Sequence, residues 1–88
     1  MADESVFRAL AHPARRRVLD MLRRGERPVA DVVQSFSLSR QAVSQHLRIL
    51  RTSGLVRQRR DGRGRIYWLD PAKLRDVARW IGPYQQLL

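Results

Sequence analysis

The stretch from Ser37 to Gly54 constrains this chain more than any other. Val43, His46, Leu47 and Leu50 recur at steps of three and four residues, so they share one side of a helix. Arg40, Gln41, Ser44, Gln45, Arg48 and Arg51 cover much of the rest. Ser39 is suited to cap the start, because its hydroxyl can accept from an unpaired backbone N–H of the first turn. Gly54 is suited to the stop, since glycine enters the left-handed region without steric penalty. Between them about fourteen residues would rise roughly 20 Å. The exposed side carries amide, hydroxyl and guanidinium groups and no acid. Those groups read base edges in a DNA major groove and hold phosphates. A solvated amphipathic helix is the plainer reading, but such a face usually mixes acids with bases.

The segments before it read as helices. Asp3 to Ala11 places Val6, Phe7 and Leu10 on an apolar stripe, with Asp3 or Ser5 available as cap. His12-Pro13 interrupts it, because the residue before proline avoids the helical region. A second helix runs from Pro13 to about Arg24, burying Val18, Leu19, Met21 and Leu22, and Gly25 closes it. Its Arg15-Arg16-Arg17 run can touch phosphates or form a solvated face. Arg27-Pro28 opens a third helix, in which Val29, Val32, Val33 and Phe36 fall at i, i+3, i+4 and i+7. Phe36 to Ser39 is then a short turn into the polar helix. Two helices joined in this way, the second polar, form a helix-turn-helix pattern.

After Gly54 the period changes to that of strands. Leu55 to Arg60 and Arg65 to Leu69 are joined by Asp61-Gly62-Arg63-Gly64, a hairpin crowded with Arg57, Arg59, Arg60, Arg63 and Arg65. A two-stranded hairpin is marginal alone, so it is expected to pack on the helices through Val56, Ile66 and Trp68. Its tip would project as a wing able to clasp phosphates or enter a minor groove. Asp70-Pro71 starts a last helix with an apolar stripe of Leu74, Val77, Ala78, Ile81 and Tyr84, ending in Leu87-Leu88. Gly82-Pro83 should kink or end it near Ile81. This stripe and the surplus at Phe7 and Leu10 predict a dimer interface made of Phe7, Leu10, Leu74, Val77, Ile81 and Tyr84. A two-fold dimer suits two DNA half-sites about one helical turn, ~34 Å, apart.

Composition narrows the function. The 88 residues carry a net charge of +10, and seventeen of the eighteen basic residues are arginine. Arg40 to Arg65 alone holds eight arginines against Asp61. Such an excess favours a polyanionic partner, nucleic acid before anionic membrane. Cysteine is absent, which excludes disulfides, thiolate metal sites and thiol redox chemistry. No apolar run approaches the ~20 residues of a membrane span, and Met1 to Glu4 lacks signal-peptide character. The expectation is a single cytoplasmic domain over residues 1–88 that is not an enzyme: no nucleophile–base pair, carboxylate pair or phosphate loop can be assembled.

Phe7-Arg8-Ala9-Leu10-Ala11-His12-Pro13-Ala14-Arg15-Arg16-Arg17-Val18-Leu19 resembles the opening of the ArsR family of winged helix-turn-helix repressors. Leu38 to Leu50 resembles its recognition helix. Gly54-Leu55-Val56 with Arg59-Arg60-Asp61-Gly62-Arg63 resembles the approach to its wing. The resemblance spans nearly the whole chain. It implies a mainly α fold in the order α-α-α-α-β-β-α, a homodimer joined through its first and last helices, and a bacterial repressor on a palindromic operator, often its own promoter. Carried across, the DNA-reading positions fall on Ser39, Arg40, Gln41, Ser44 and Gln45, with Arg48 on the same face, and the wing contacts on Arg63, Arg60 and Arg65. Gln41 and Gln45 can pair with an adenine edge, Arg40 with guanine, and Ser39 and Ser44 with bases or phosphates.

One departure bears on sensing. Many relatives bind metals through cysteines of the third helix or through Asp and His of the last. Here the third helix offers Val29-Ala30-Asp31-Val32-Val33, and the last offers Asp76 without histidine. His12 and His46 read as structural. The ending Trp80 to Tyr84 resembles a subgroup without metal sites, so neither metal nor cofactor is expected, and the effector is unknown. An RNA-binding or protein-interaction winged helix is the alternative. Binding to single strands would favour the first, although few aromatics accompany the basic face. Loss of DNA affinity at physiological salt would favour the second.

Overall fold

A computed structural model describes residues 4–88, so Asp3, one of the two caps expected for the first helix, lies outside the described residues. The elements are α1 (Glu4–Leu10), α2 (Pro13–Leu22), β1 (Arg27–Pro28), α3 (Val29–Gln34), α4 (Arg40–Thr52), β2 (Val56–Asp61), β3 (Gly64–Leu69) and α5 (Leu74–Ile81). A 3-10 turn over Pro71–Lys73 leads into α5, and another over Gly82–Leu87 follows it. This is the expected winged helix-turn-helix with one strand added.

The helices start and stop for identifiable reasons. Pro13 occupies the first turn of α2, where its missing N–H is no loss, and His12 caps it by accepting from the Ala14 N–H through Nδ1 at 3.1 Å. The helix ends two residues short of Arg24, and the Gly25 N–H closes on the Leu22 carbonyl. Ser39 caps α4 as expected, its hydroxyl oxygen accepting from Ala42 N–H at 3.1 Å. At the other end Gly54 takes a φ of 84°, and the Leu55 N–H reaches back to the Leu50 carbonyl. Asp70 caps the Pro71 turn by accepting from Ala72 N–H. The α-helical bonding of the last helix begins only at Leu74, and Gly82-Pro83 passes the chain from α-helix into the 3-10 turn.

Three details differ from the sequence reading. First, α3 ends at Gln34, so Phe36 lies in a five-residue connection rather than on the helix; it still packs against the core, with the Arg17 guanidinium 4.9 Å from its ring centre. Second, Arg27–Pro28 is a short strand before it is a helix start. It pairs antiparallel with β3, Arg27 opposite Tyr67 and Pro28 opposite Ile66, giving the sheet order β1-β3-β2. Proline is tolerated there because β1 is an edge. Third, the hairpin does not pack on the helices through Trp68. Val56 lies opposite Leu69, so Val56, Tyr67 and Leu69 share the face that meets the helices, and Ile66 and Trp68 face away. Ile66 is buried, but outside the main core. Trp68 is half-buried, with the Arg59 guanidinium 5.6 Å from its ring centre.

One core joins these elements: Val6 and Ala9 of α1, Val18, Leu19 and Leu22 of α2, Val32 of α3, Val43, Leu47 and Leu50 of α4, Leu55, and Val56 and Tyr67 of the sheet. It lies beneath α4 and holds that helix with its polar side outward. Leu10, Leu74 and Val77 are half-buried at its margin. Beyond them Trp80, Tyr84, Leu87 and Leu88 are exposed, with Phe7, Trp80 and Tyr84 in aromatic contact.

Candidate nucleic-acid interface

The side of α4 opposite the core carries Ser39, Arg40, Gln41, Ser44, Gln45 and Arg48, all solvent-exposed. Burial of Val43, Leu47 and Leu50 fixes the rotation of the helix, so these polar groups share its outer surface. Capping uses the Ser39 oxygen as acceptor and leaves its proton free to donate. His46 behaves differently from its polar neighbours. Half-buried, it lies against His12 with ring centres 4.4 Å apart and planes inclined by 51°, and its Nδ1 accepts from the Arg15 guanidinium at 3.3 Å. Desolvation, with help from His12 and Arg15, holds its pKa below the ordinary value. Its contacts are those of a packing residue.

The arginines divide into two groups. Arg15 Nε donates to the Ala9 carbonyl at 2.6 Å and its Nη2 to the Arg8 carbonyl at 3.0 Å, while Arg16 donates to Leu10 at 2.7 Å. These bonds engage carbonyls at the C-terminal end of α1, of which that of Arg8 also accepts from the Ala11 N–H. Arg17 donates to the Ser35 carbonyl. The Arg15-Arg16-Arg17 run thus holds helices together, a role its spacing did not reveal. In the hairpin, Arg57 pairs with Asp70 at 3.4 Å, and Arg59 forms a two-pronged pair with Glu26, both bonds 2.8 Å. The hydrogen bond from Arg59 lowers the Glu26 pKa, and Glu26 raises that of Arg59. Among the described residues no carboxylate pairs with Arg40, Arg48, Arg60, Arg63 or Arg65.

The wing carries three of these unpaired cations. Residues 59–65 are exposed throughout, and β2 and β3 pair to the tip, with Asp61 opposite Gly64. Gly62, with φ of 60°, is the first central residue of the two-residue turn, as in a type II′ hairpin. Because β2 packs on α4, the wing and the polar helix form one continuous unit. The unit offers amides and hydroxyls that can both donate and accept, flanked by guanidiniums that can neutralise phosphates.

Comparison with known proteins agrees with this arrangement. Residues 12–58 match the sequence profile described as "Bacterial regulatory protein, arsR family". The transcriptional repressor SdpR of Bacillus subtilis is 32% identical over 77 residues, which span 88% of this chain and 86% of SdpR. A probable mercury resistance operon repressor of Streptomyces lividans is 39% identical over 71 residues, 81% of this chain and 57% of that protein. The crystal structure of an ArsR family transcriptional regulator superposes with a TM-score of 0.87 at 30% identity, covering 99% of this chain and 95% of the other. Together the profile, the relatives and the shared fold show that the chain belongs to the arsR family of bacterial regulatory proteins, which are DNA-binding transcriptional regulators and not enzymes.

Proposed function

We propose that this regulator is a homodimeric repressor that reads a palindromic operator and does not respond to metal ions. The observation that carries the DNA reading is the outward row on α4, Ser39, Arg40, Gln41, Ser44, Gln45 and Arg48, beside the wing arginines Arg60, Arg63 and Arg65, which pair with no carboxylate among the described residues. The arginine field draws the protein to duplex. Gln41, Gln45 and Arg40 then read base edges, Ser39 and Ser44 contact bases or backbone, and the wing holds flanking phosphates.

The apolar end formed by α1 and α5 supports pairing of two copies. Phe7, Leu10, Leu74, Val77, Ile81 and Tyr84 lie there, continuous with the exposed Trp80, Leu87 and Leu88. Metal blindness rests on the donor set: the sequence has no cysteine, its two histidines contact each other and Arg15, and among the described residues no group of three His, Asp or Glu could hold a metal ion. A fluorescence-anisotropy titration tests the proposal. Duplex from the gene's upstream region is expected to bind about a thousandfold or more tighter than scrambled duplex at near-physiological salt, equally with added metal and with chelator. Equal weak binding to both duplexes would refute operator reading at that promoter, and release by metal would refute metal blindness.

A further inference from the structure

Between α1 and the second half of α4 lies an open groove of about 770 Å³, within the usual range for a small-ligand site. Arg8 of α1 and Arg48 and Arg51 of α4 line it, together with Ser44, Gln45 and Thr52, and among the described residues none that lines it is acidic. Six arginines elsewhere in the chain are engaged, while among the described residues Arg60, Arg63 and Arg65 of the wing, like those of the groove, are not. Arg15, Arg16 and Arg17 donate to carbonyls, and Arg57, Arg59 and Arg79 to carboxylates. Three guanidiniums around one concavity have no such partner among the described residues. Arg51 makes the point most sharply: its Nε is buried without an acceptor, a state that buried donors seldom occupy. The carbonyl end of α4 opposes an anion with about half an elementary charge, against three full positive charges.

We infer that this groove binds a small multivalent anion, a phosphorylated or polycarboxylate metabolite, and that its occupancy releases DNA. Arg8 and Arg51 grip the anion from the two helices, and Arg48 closes on it from the outer side. The release follows because Ser44, Gln45 and Arg48 also belong to the row that faces DNA, a clause that rests on the function proposed above. The binding itself does not rest on it.

Calorimetric titration of the full chain with pyrophosphate and with citrate, at constant ionic strength, tests the site without DNA. Saturable binding of at least one probe is expected, weakened about tenfold or more in Arg8→Gln, which loses a charge-assisted bond. Arg51→Lys, which keeps the charge and loses the planar Nε donor, is expected to weaken it as well. No saturable binding, or equal binding by wild type and Arg8→Gln, overturns the site. The coupling is read by anisotropy: the bound probe is expected to displace labelled duplex from the wild type but not from Arg8→Gln, whose DNA affinity without the probe stays near that of the wild type. Displacement matched by chloride of equal ionic strength would show screening and overturn the coupling. Duplex that fails to bind even without the probe would overturn the DNA reading, while the calorimetry still decides the site.

Discussion

Ser39 holds two roles that substitution can separate. Its oxygen caps α4 by accepting from Ala42 N–H at 3.1 Å, and its exposed position at the start of the helix faces the proposed DNA surface. Ser39→Ala removes both roles. Loss of a serine cap costs typically about 1 kcal/mol, which lowers Tm by roughly 4–8 °C in a domain of this size. Ser39→Asp keeps the cap, since aspartate caps as well as serine and its charge suits a helix N-terminus. It sets a negative charge against phosphate, where like charges facing each other cost several kcal/mol. The Ser39→Asp protein is thus expected to melt at or above the wild-type temperature and to bind operator about tenfold or more weaker. Urea and thermal melts at one fixed protein concentration, which the proposed dimer requires, together with anisotropy on the same samples, make the comparison. An unchanged Tm in Ser39→Ala would show that the hydroxyl does not cap in solution. Wild-type affinity in Ser39→Asp would show that this end of α4 does not approach the duplex.

Other outcomes follow from the same geometry. Gln45→Ala is expected to lose about 1–3 kcal/mol of preference for operator over random duplex, whereas Arg63→Ala should weaken both alike and reduce the salt slope by about one; competition titrations at several salt concentrations separate the two. Leu50→Ala, at a fully buried position, is expected to cost about 2–5 kcal/mol, much of the stability of a small domain, read as a lower urea midpoint. Gly54→Ala forces a side chain to a φ of 84° and should cost about 1–2 kcal/mol; the Lys73 side chain, with its Cγ 3.1 Å from the new methyl, must also shift by a few tenths of an ångström. The lowered His46 pKa makes the folded state bind fewer protons than the unfolded chain. Its contribution is therefore complete above the ordinary value of 6.5 and declines as pH falls below it. Denaturation midpoints measured across that range should show the loss, and His46→Asn should flatten it.

The helices are legible in the sequence because their apolar spacing is regular and their ends carry chemistry of their own, as at Pro13, Ser39 and Gly54. β1 is not, since two residues have no period and proline argues for a helix start. The packing face of the hairpin is hidden for a related reason. Consecutive residues of a strand face opposite ways, and only the pairing of Val56 with Leu69 decides whether Tyr67 or Trp68 turns inward. The arginines can be counted, but their partners cannot. Whether a guanidinium meets a carbonyl, a carboxylate or nothing depends on where the fold delivers those oxygens, so spacing reveals neither the capping by Arg15 and Arg16 nor the groove beside Arg51.

Arg15 extends this point to regulation. One planar head bonds the Ala9 and Arg8 carbonyls of α1 and the ring of His46 on α4. Lysine, with a single ammonium in place of a rigid fork, would not hold three partners in those directions. The helix proposed to meet a second copy and the helix proposed to meet DNA are thus fastened to one side chain. Displacing either moves a shared rivet, and thermodynamic linkage makes the traffic two-way: whatever factor pairing adds to operator affinity, the operator returns to pairing. A search for the signal that turns this protein off then has two doors into the same room, one at the aromatic end of α1 and α5 and one along α4.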